Sequence, residues 1–466
     1  MNIVIIGNGV AGIEAARTVR RAQPAWSITL VSEESDHFIS RTALMWVVSG
    51  QLSHRCIEPH ERDLYRREGF TRVRARAVGV DLAARRVLLG GGLDPLPYDR
   101  LLVASGSRPR PGPWPGSDLP GVGSLVTLQD CEWLEGALHG GASHAGRPPN
   151  PDAHHGSSGP TSPYWPKPAV GRPRQAAVVG GGLIGIEAVE VLVAAKVPVR
   201  FYIREDWFWP MALDARESAW IAERMREHGV EMRLGEELVA FEGGERLEGV
   251  RSSGGTEPAD LAVVAIGVQP NTEWLKGSGL ERDERSGGLR VDEHLRTSDP
   301  HVFAAGDCAA VRWADGSVRP EQLWYTARDQ GRVAGRNLLG EDAVYARGPW
   351  YNSAKLMDIE YTTAGLVGDV PDERTFFHEE TGAVHSTTRV VLSGDRVVGF
   401  NMLGRRWDHS VLVRFIEEER SLDHVLDHLH EAAFDTEFVP PLVIPAGGTA
   451  GRRNDDNDDD RPRGRA

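Results

Sequence analysis

The chain reads as an α/β protein in which two βαβ units of one design are followed by a smaller α+β region. Three observations carry that reading. The segments IIGNGVAGIEA (5–15) and VVGGGLIGIEA (178–188) are near copies. Each continues a short apolar run suited to a strand buried on both faces of a parallel sheet, and each leads into a helical pattern and a second apolar strand. After Gly340 the pattern changes to a hairpin-like stretch and then helices. At 466 residues the chain is too long for one hydrophobic core and should divide into domains.

The first copy begins with the strand NIVIIG and turns through Gly7-x-Gly9-x-x-Gly12 into the helical AGIEAARTVRRA. Gly7 permits the tight turn, Gly9 lets backbone approach a pyrophosphate, and Gly12 allows close helix–strand packing. The helix N-terminus offers free N–H groups and partial positive charge to phosphates. The strand SITLVSEE then ends at Glu33, where a carboxylate would accept the hydroxyls of a ribose. Together these predict a Rossmann-like dinucleotide-binding unit. The second copy repeats the plan with QAAVVGG, Gly180, Gly182 and Gly185, a helix through Ala195 and the strand VPVRFYI. Two fingerprints imply two dinucleotides, most commonly a nicotinamide passing hydride to a flavin.

Composition narrows the field. Hydrophobic residues make up 40% and charged residues 26%, as in ordinary globular proteins, and the net charge of -14 argues against nucleic-acid binding. No apolar run is long enough to span a bilayer. The first strand starts at Asn2, so no secretory signal is expected. The 3 cysteines share no C-x-x-C spacing, which disfavours a zinc ribbon or dithiol pair. A cytoplasmic protein is expected.

Around the second fingerprint follow LLVASGSRPR (101–110), LAVVAIGVQPN (261–271) and VDEHLRTSDPHVFAAGDCA (291–309), in that order. Over roughly residues 1–340 the chain thereby resembles the FAD/NAD(P)-dependent pyridine nucleotide–disulfide oxidoreductase superfamily. It is most similar to the branch without a redox disulfide: ferredoxin and rubredoxin reductases, NADH oxidases and apoptosis-inducing-factor-like proteins. The resemblance implies an FAD-binding domain with an NAD(P)-binding domain inserted in it. It places Gly7, Gly9, Ala11 and Gly12 on the FAD pyrophosphate, Glu33 on the adenosine ribose and the Ala77 backbone at the adenine. Ala104, Ser105 and Gly106 are similar to the family's turn beside the FAD. Gly306 and Asp307, in AAGDCA, would meet the ribityl–phosphate region; a plain turn or N-cap aspartate is the other reading. The next helix, EQLWYTARDQGRVAGRNLL, would aim its N-terminus at the flavin. Gly180, Gly182, Gly185 and Gly267 fall to the NAD(P)H side.

The chain also departs from the family pattern. Disulfide members carry a cysteine pair just after the first βαβ unit, whereas the matching DHFISRTALMWVV has none. Cys308 reads as buried packing. SRTALMW is similar to R-P-P-L-S-K in ferredoxin-reductase-like members: Arg41 and Leu44 match, and Trp46 replaces the lysine. In relatives that lysine lies by flavin N5 and pairs with the glutamate matching Glu187. Glu187 is therefore the candidate catalytic residue, shaping the nicotinamide site, or else a capping or packing group. Arg41 reads as a phosphate or surface contact. NADH-specific members end the second nucleotide strand with an acid; here Ile203 stands there and Arg204 follows, as in NADPH users. Glu205 and Asp206 pull the other way, so the expectation is NADPH or dual use.

The domain reading is FAD-binding over 1–125 and 266–340, NAD(P)-binding over 126–265, an interface-like C-terminal domain over 341–445 and a disordered charged tail over 446–466. Residues from about 138 to 173, rich in Gly, Pro, Ser and His, lack a hydrophobic period and read as a disordered insertion. LDARESAWIAERMREHGVEMRLG reads as a helix with a capping box at Asp214 and Glu217 and a stop at Gly229, scaffold of the NAD(P) domain. STTRVVLSGDRVVGFNMLG reads as a hairpin turning at 393–395, with helices after it. His154 with His155, and His424 with His428, have no evident further ligand, so no metal site is expected.

The family closes with such a C-terminal domain, which often forms the dimer interface or covers the flavin, so a homodimer is among the expectations. The leading functional reading is an enzyme passing a hydride from NAD(P)H to FAD and electrons onward to an iron–sulfur protein, a quinone or dioxygen. The alternative is an apoptosis-inducing-factor-like, NAD(P)H-responsive flavoprotein acting mainly through partners. A small acidic redox partner would need a local basic patch, for which RDLYRREGFTRVRARA (62–77) is the candidate, a plain solvated face being the other reading.

Overall fold

The computed structural model describes residues 1–139, 171–313, 316–368, 373–381 and 384–434, with 436–437, 440–442, 444 and 451–452 beyond them. Contacts divide the chain into two units, Met1–Arg204 with Glu236–Arg347, and Glu205–Gly235 with Gly348–Ala466.

The principal strands of the first unit are β1 (Asn2–Ile6), β2 (Ser27–Ser32), β3 (Phe70–Arg74), β4 (Arg100–Val103), β5 (Ala176–Val179), β6 (Val199–Ile203), β7 (Leu261–Val264) and β8 (Val302–Ala304). Its main helices are α1 (Val10–Ala22), α2 (Leu44–Val48), α3 (Leu128–His139), α4 (Leu183–Ala194) and α5 (Trp324–Leu338). One parallel sheet has the order β8-β4-β1-β2-β3. β1 lies at its centre, and Ile3 and Ile5 are wholly buried, as a continuous apolar run requires. In a second parallel sheet β5 lies between β6 and β7, and Val122–Gly123 pairs at the far edge of β7. α1 packs on α5, and two glycines of α5 set the closeness. A Cβ on Gly331 would stand 2.4 Å from the Ala11 carbonyl oxygen, and one on Gly335 2.7 Å from Thr18 Cβ.

In the second unit, antiparallel strands follow the order Tyr351–Leu356, Ile359–Gly365, Arg396–Leu403, Ser386–Ser393, Glu373–Glu380, Gly451–Arg452. The expected hairpin is the Ser386–Ser393 and Arg396–Leu403 pair, turning through Gly394 and Asp395. The helices His409–Glu417 and Leu422–His428 follow. Helix Ala215–Glu227 carries the expected capping box between Asp214 and Glu217, and Gly229 takes a left-handed φ of 81° after it.

Sequence reading counts residues 205–235 with the second fingerprint, but their contacts group them with the C-terminal region. The reason is a buried ion pair. Glu217, 0% exposed, lies 3.0 Å from Arg389, and Asn401 Nδ2 donates to the same carboxylate at 2.9 Å. Arg389 also donates to the carbonyls of Ala212 and Val367. The tail expected to be disordered over 446–466 includes the strand Gly451–Arg452 on the edge of Glu373–Glu380; such pairing draws on backbone N–H and C=O groups and needs no apolar side chains. Of the insertion, residues 140–170 lie outside the described residues, while 138–139 close α3.

Candidate active site

The two glycine loops repeat each other contact for contact. Gly7 has φ 114° and Gly180 has φ 112°. A Cβ on Gly7 would sit 2.0 Å from the Ala104 carbonyl oxygen, and one on Gly180 2.4 Å from that of Ala265. A Cβ on Gly12 or Gly185 would sit 2.1 Å from the carbonyl oxygen of Gly7 or Gly180. The middle glycines differ in kind, since a Cβ on Gly9 or Gly182 would meet nothing within 4 Å. That open space lies at the N-termini of α1 and α4, which have no side-chain cap and no acid in the first turn. Their first N–H groups are thus left for an anion. Two sites of one geometry fit two pyrophosphates.

Glu33 follows β2 directly. Its Oε2 is buried without a hydrogen-bond partner, 3.9 Å from Arg76 Nε. Burial pushes its carboxyl up, and Arg76 offsets part of that. A buried carboxylate oxygen lacking a donor fits a ribose hydroxyl. Ala77 opens the strand Ala77–Asp81 and is buried. Ala11 is also buried, and a Cβ on Gly306 would come within 3.1 Å of its Cβ, so its side chain is packing beneath the loop. In the turn after β4, Ala104 N–H donates to Ile6, Ser105 Oγ to Asn271 O at 2.7 Å, and Gly106 takes φ 66°. Ser107 Oγ donates to Asp307 Oδ2 at 2.6 Å, tying this turn to the Gly306–Asp307 loop. Arg41 Nη1 donates to Ser107 O at 3.2 Å and its Nη2 pairs with Glu34.

Sequence reasoning missed a buried relay behind that loop. Gln330 Oε1 accepts the Gly306 N–H at 2.8 Å, and its Nε2 donates to Glu321 Oε2 at 2.7 Å. Glu321 also accepts from Tyr345 and Arg347. The expected helix begins at Trp324, and Glu321 lies in its approach as a buried anion. The polar residues within an amphipathic pattern were the only available signal.

On the other loop, Glu187 stands on α4 with its carboxyl pushed up to about 7, chiefly by burial and then by Glu190. α2, which carries the 42% exposed Trp46, packs against α4. Ile203 ends β6 fully buried, and a Cβ on Gly181 would lie 2.9 Å from it. Arg204 follows and is exposed. Gly267 has φ 94° and no atom within 4 Å of a would-be Cβ. Cys131 and Cys308 are buried and Cys56 is exposed, all as free thiols. Cys308 Sγ lies against the carbonyls of Val103 and Ala305, a packing role.

The candidate basic patch is not free charge. Arg62 pairs with Glu58, Arg66 with Asp63, Arg67 with Glu61, Arg74 with Asp36 and Arg76 with Glu33. Arg72 lies over the Tyr65 ring and donates to Asp36 O. These contacts hold the 33–37 segment and α-helical neighbours in place, leaving little net field to steer a partner. Among the described residues, no helix is long and apolar enough to cross a membrane.

Comparison with known proteins gives a consistent likeness. A family described as "Pyridine nucleotide-disulphide oxidoreductase" matches residues 1–331. The chain is 30% identical to rhodocoxin reductase of Rhodococcus erythropolis over 456 residues, covering 95% of this chain and 94% of that one. It is 29% identical to the ferredoxin–NAD(+) reductase component of the p-cumate 2,3-dioxygenase system of Pseudomonas putida, covering 90% and 94%. A Bacillus subtilis nitrite reductase matches at 25% identity, and the chain spans only 48% of its length. Among solved structures, an NAD-dependent persulfide reductase from A. fulgidus superimposes with a TM-score of 0.77 at 24% identity, covering 92% of this chain and 79% of that one.

Proposed function

Because the chain belongs to the pyridine nucleotide-disulphide oxidoreductase family, we propose that its first glycine loop holds FAD, its second NAD(P)H, and that a small iron–sulfur protein takes the electrons. The chain is an NAD(P)H-dependent FAD oxidoreductase. The observation that carries the reading of two dinucleotide sites is the repeated geometry of the loops, open at Gly9 and Gly182 and closed at the outer glycines; the order of FAD and NAD(P)H follows the family resemblance. When bound, NAD(P)H supplies a hydride and FAD accepts it and passes electrons on.

The chain's own residues bind and orient. The bare N-terminus of α1 holds a pyrophosphate, and the orphaned Oε2 of Glu33 accepts a ribose hydroxyl. Ser107 fixes the Asp307 carboxylate and Gln330 fixes the Gly306 N–H, so the ribityl side is preorganised. Glu187, its carboxyl pushed up by burial and by Glu190, can present a hydroxyl or a carboxylate toward the nicotinamide side. For the nucleotide, buried Ile203 offers no acceptor to ribose hydroxyls and Arg204 offers a cation to a 2′-phosphate, which favours NADPH. The iron–sulfur acceptor is supported by the likeness to the ferredoxin–NAD(+) reductase component of Pseudomonas putida, a relative matched over nearly its whole length; with the arginines of 62–77 paired, its docking would rest on contacts other than that patch.

The test is anaerobic stopped-flow mixing of the flavin-loaded protein with NADPH and NADH, then a panel of ferredoxin, quinone and dioxygen. We expect bleaching with about one reductant per flavin, because the 3 free thiols form no second redox centre, and we expect ferredoxin to reoxidise the flavin fastest. A second equivalent per subunit, or turnover carried wholly by dioxygen, would sink the reading.

A further inference from the structure

We infer that His54, Cys131 and Glu135 form a binding site for one divalent cation of the zinc class. The three side chains come from two segments. His54 opens the short 3-10 turn His54–Ile57, while Cys131 and Glu135 stand four residues apart on α3 and so share one of its faces. Their ligand atoms, an imidazole nitrogen, a thiol sulfur and a carboxylate oxygen, all lie within 4.8 Å of one another. His54 Nε2 is 2.6 Å from Glu135 Oε2. Two such ligands on one tetrahedral ion with bonds of about 2.0 Å stand about 3.3 Å apart. The ion therefore enters by opening that hydrogen bond by about 0.7 Å and by drawing the sulfur, within 4.8 Å of the other two atoms, to about 3.5 Å from them.

Burial and charge point the same way. Cys131 is 0% exposed, whereas the His54 and Glu135 side chains are 22% and 21% exposed. The sulfur makes a floor and the other two a rim, which leaves an outer position for water, as in three-ligand zinc sites. A thiolate and a carboxylate together neutralise a divalent ion. The mix of nitrogen, sulfur and oxygen suits zinc far better than magnesium or calcium, which take oxygen alone. Cys131 has no firm commitment elsewhere, since its sulfur reaches the Leu44 carbonyl only at 3.8 Å. Binding releases the thiol proton to solvent and needs the Nε2 lone pair, with the imidazole proton on Nδ1, so affinity rises with pH. The bound ion would clasp the turn after α2 to α3, against which α2 already packs.

The test uses the full, flavin-loaded chain, stripped with a chelator and dialysed against zinc, with zinc X-ray absorption as the readout. The expected result is one tightly held ion per chain with one sulfur neighbour at about 2.3 Å. Cys131→Ser should erase the sulfur shell and weaken binding about a hundredfold, while Cys56→Ser leaves both unchanged. Should Cys131→Ser not fold, His54→Gln takes its place and must bind at least about tenfold more weakly. The proposal is overturned if zinc does not bind stoichiometrically, if the sulfur shell survives Cys131→Ser or is lost in Cys56→Ser, or if His54→Gln binds as wild type.

Discussion

Glu187, the residue proposed for the nicotinamide side, carries a carboxyl whose value rises from 4.5 to about 7 on folding, so it is also a stability term. Between those two values the native state keeps a proton that the unfolded chain has lost, and stability must fall as pH rises through that window. Glu187→Gln should flatten this part of the pH profile, read as Tm against pH from about 5 to about 8. A variant that tracks wild type across the window would place the buried proton elsewhere. Arg204→Glu should raise KM for NADPH about tenfold or more while moving KM for NADH little, because the charge-assisted bond is to a phosphate only NADPH has. Equal shifts, or a strong wild-type preference for NADH, would remove Arg204 from the nucleotide site. The places of these residues were legible in sequence, because they are positions counted along one strand and one helix. The carboxylates that neutralise Arg62, Arg66 and Arg67 were also written nearby, as Glu58, Asp63 and Glu61. Counting arginines without their near neighbours is what suggested a basic patch.

Between elements, the contact of α1 with α5 decides how well the first loop is held, since Gly331 meets Ala11 and the same helix supplies Gln330 to Gly306. Gln330→Leu would leave the Gly306 N–H without its acceptor and Glu321 with one donor fewer, costing about 1–3 kcal/mol. The expected outcome is a lower melting temperature together with loss of bound FAD on gel filtration; full flavin retention would mean the relay is only packing. The βαβ units themselves were readable from local sequence, because Gly12 meets the Gly7 carbonyl that the strand–turn–helix path brings to it, whereas the contact of Gly7 with Ala104 was not local. Gln330 and Glu321 were not, since the Gln330 side chain meets the Gly306 backbone 24 residues away and nothing in an amphipathic pattern names that partner. The same limit applies to Ala215–Glu227: its cap was legible, but its apolar face does not say which sheet it covers.

For the molecule as a whole, composition predicts that residues 141–170 contribute nothing to the nucleotide sites. Deleting them should preserve flavin content and reduction rate, and loss of hydride transfer with FAD retained would instead make that stretch part of the nicotinamide site. The second unit has a different dependence on the chain, because it is written in two pieces, Glu205–Gly235 and Gly348–Ala466. Glu217 and Arg389 are 172 residues apart in sequence, and on a ribosome adding about 5–20 residues per second Glu217 emerges roughly 10–30 s before its partner exists. During that interval a carboxylate destined for full burial has no cation, so this segment must stay hydrated or chaperoned while the first unit assembles on both sides of it. Birth of the second unit is therefore timed by the arrival of Arg389, and a nascent chain stalled before that point would hold a complete pair of glycine loops with an unfolded excursion between β6 and β7.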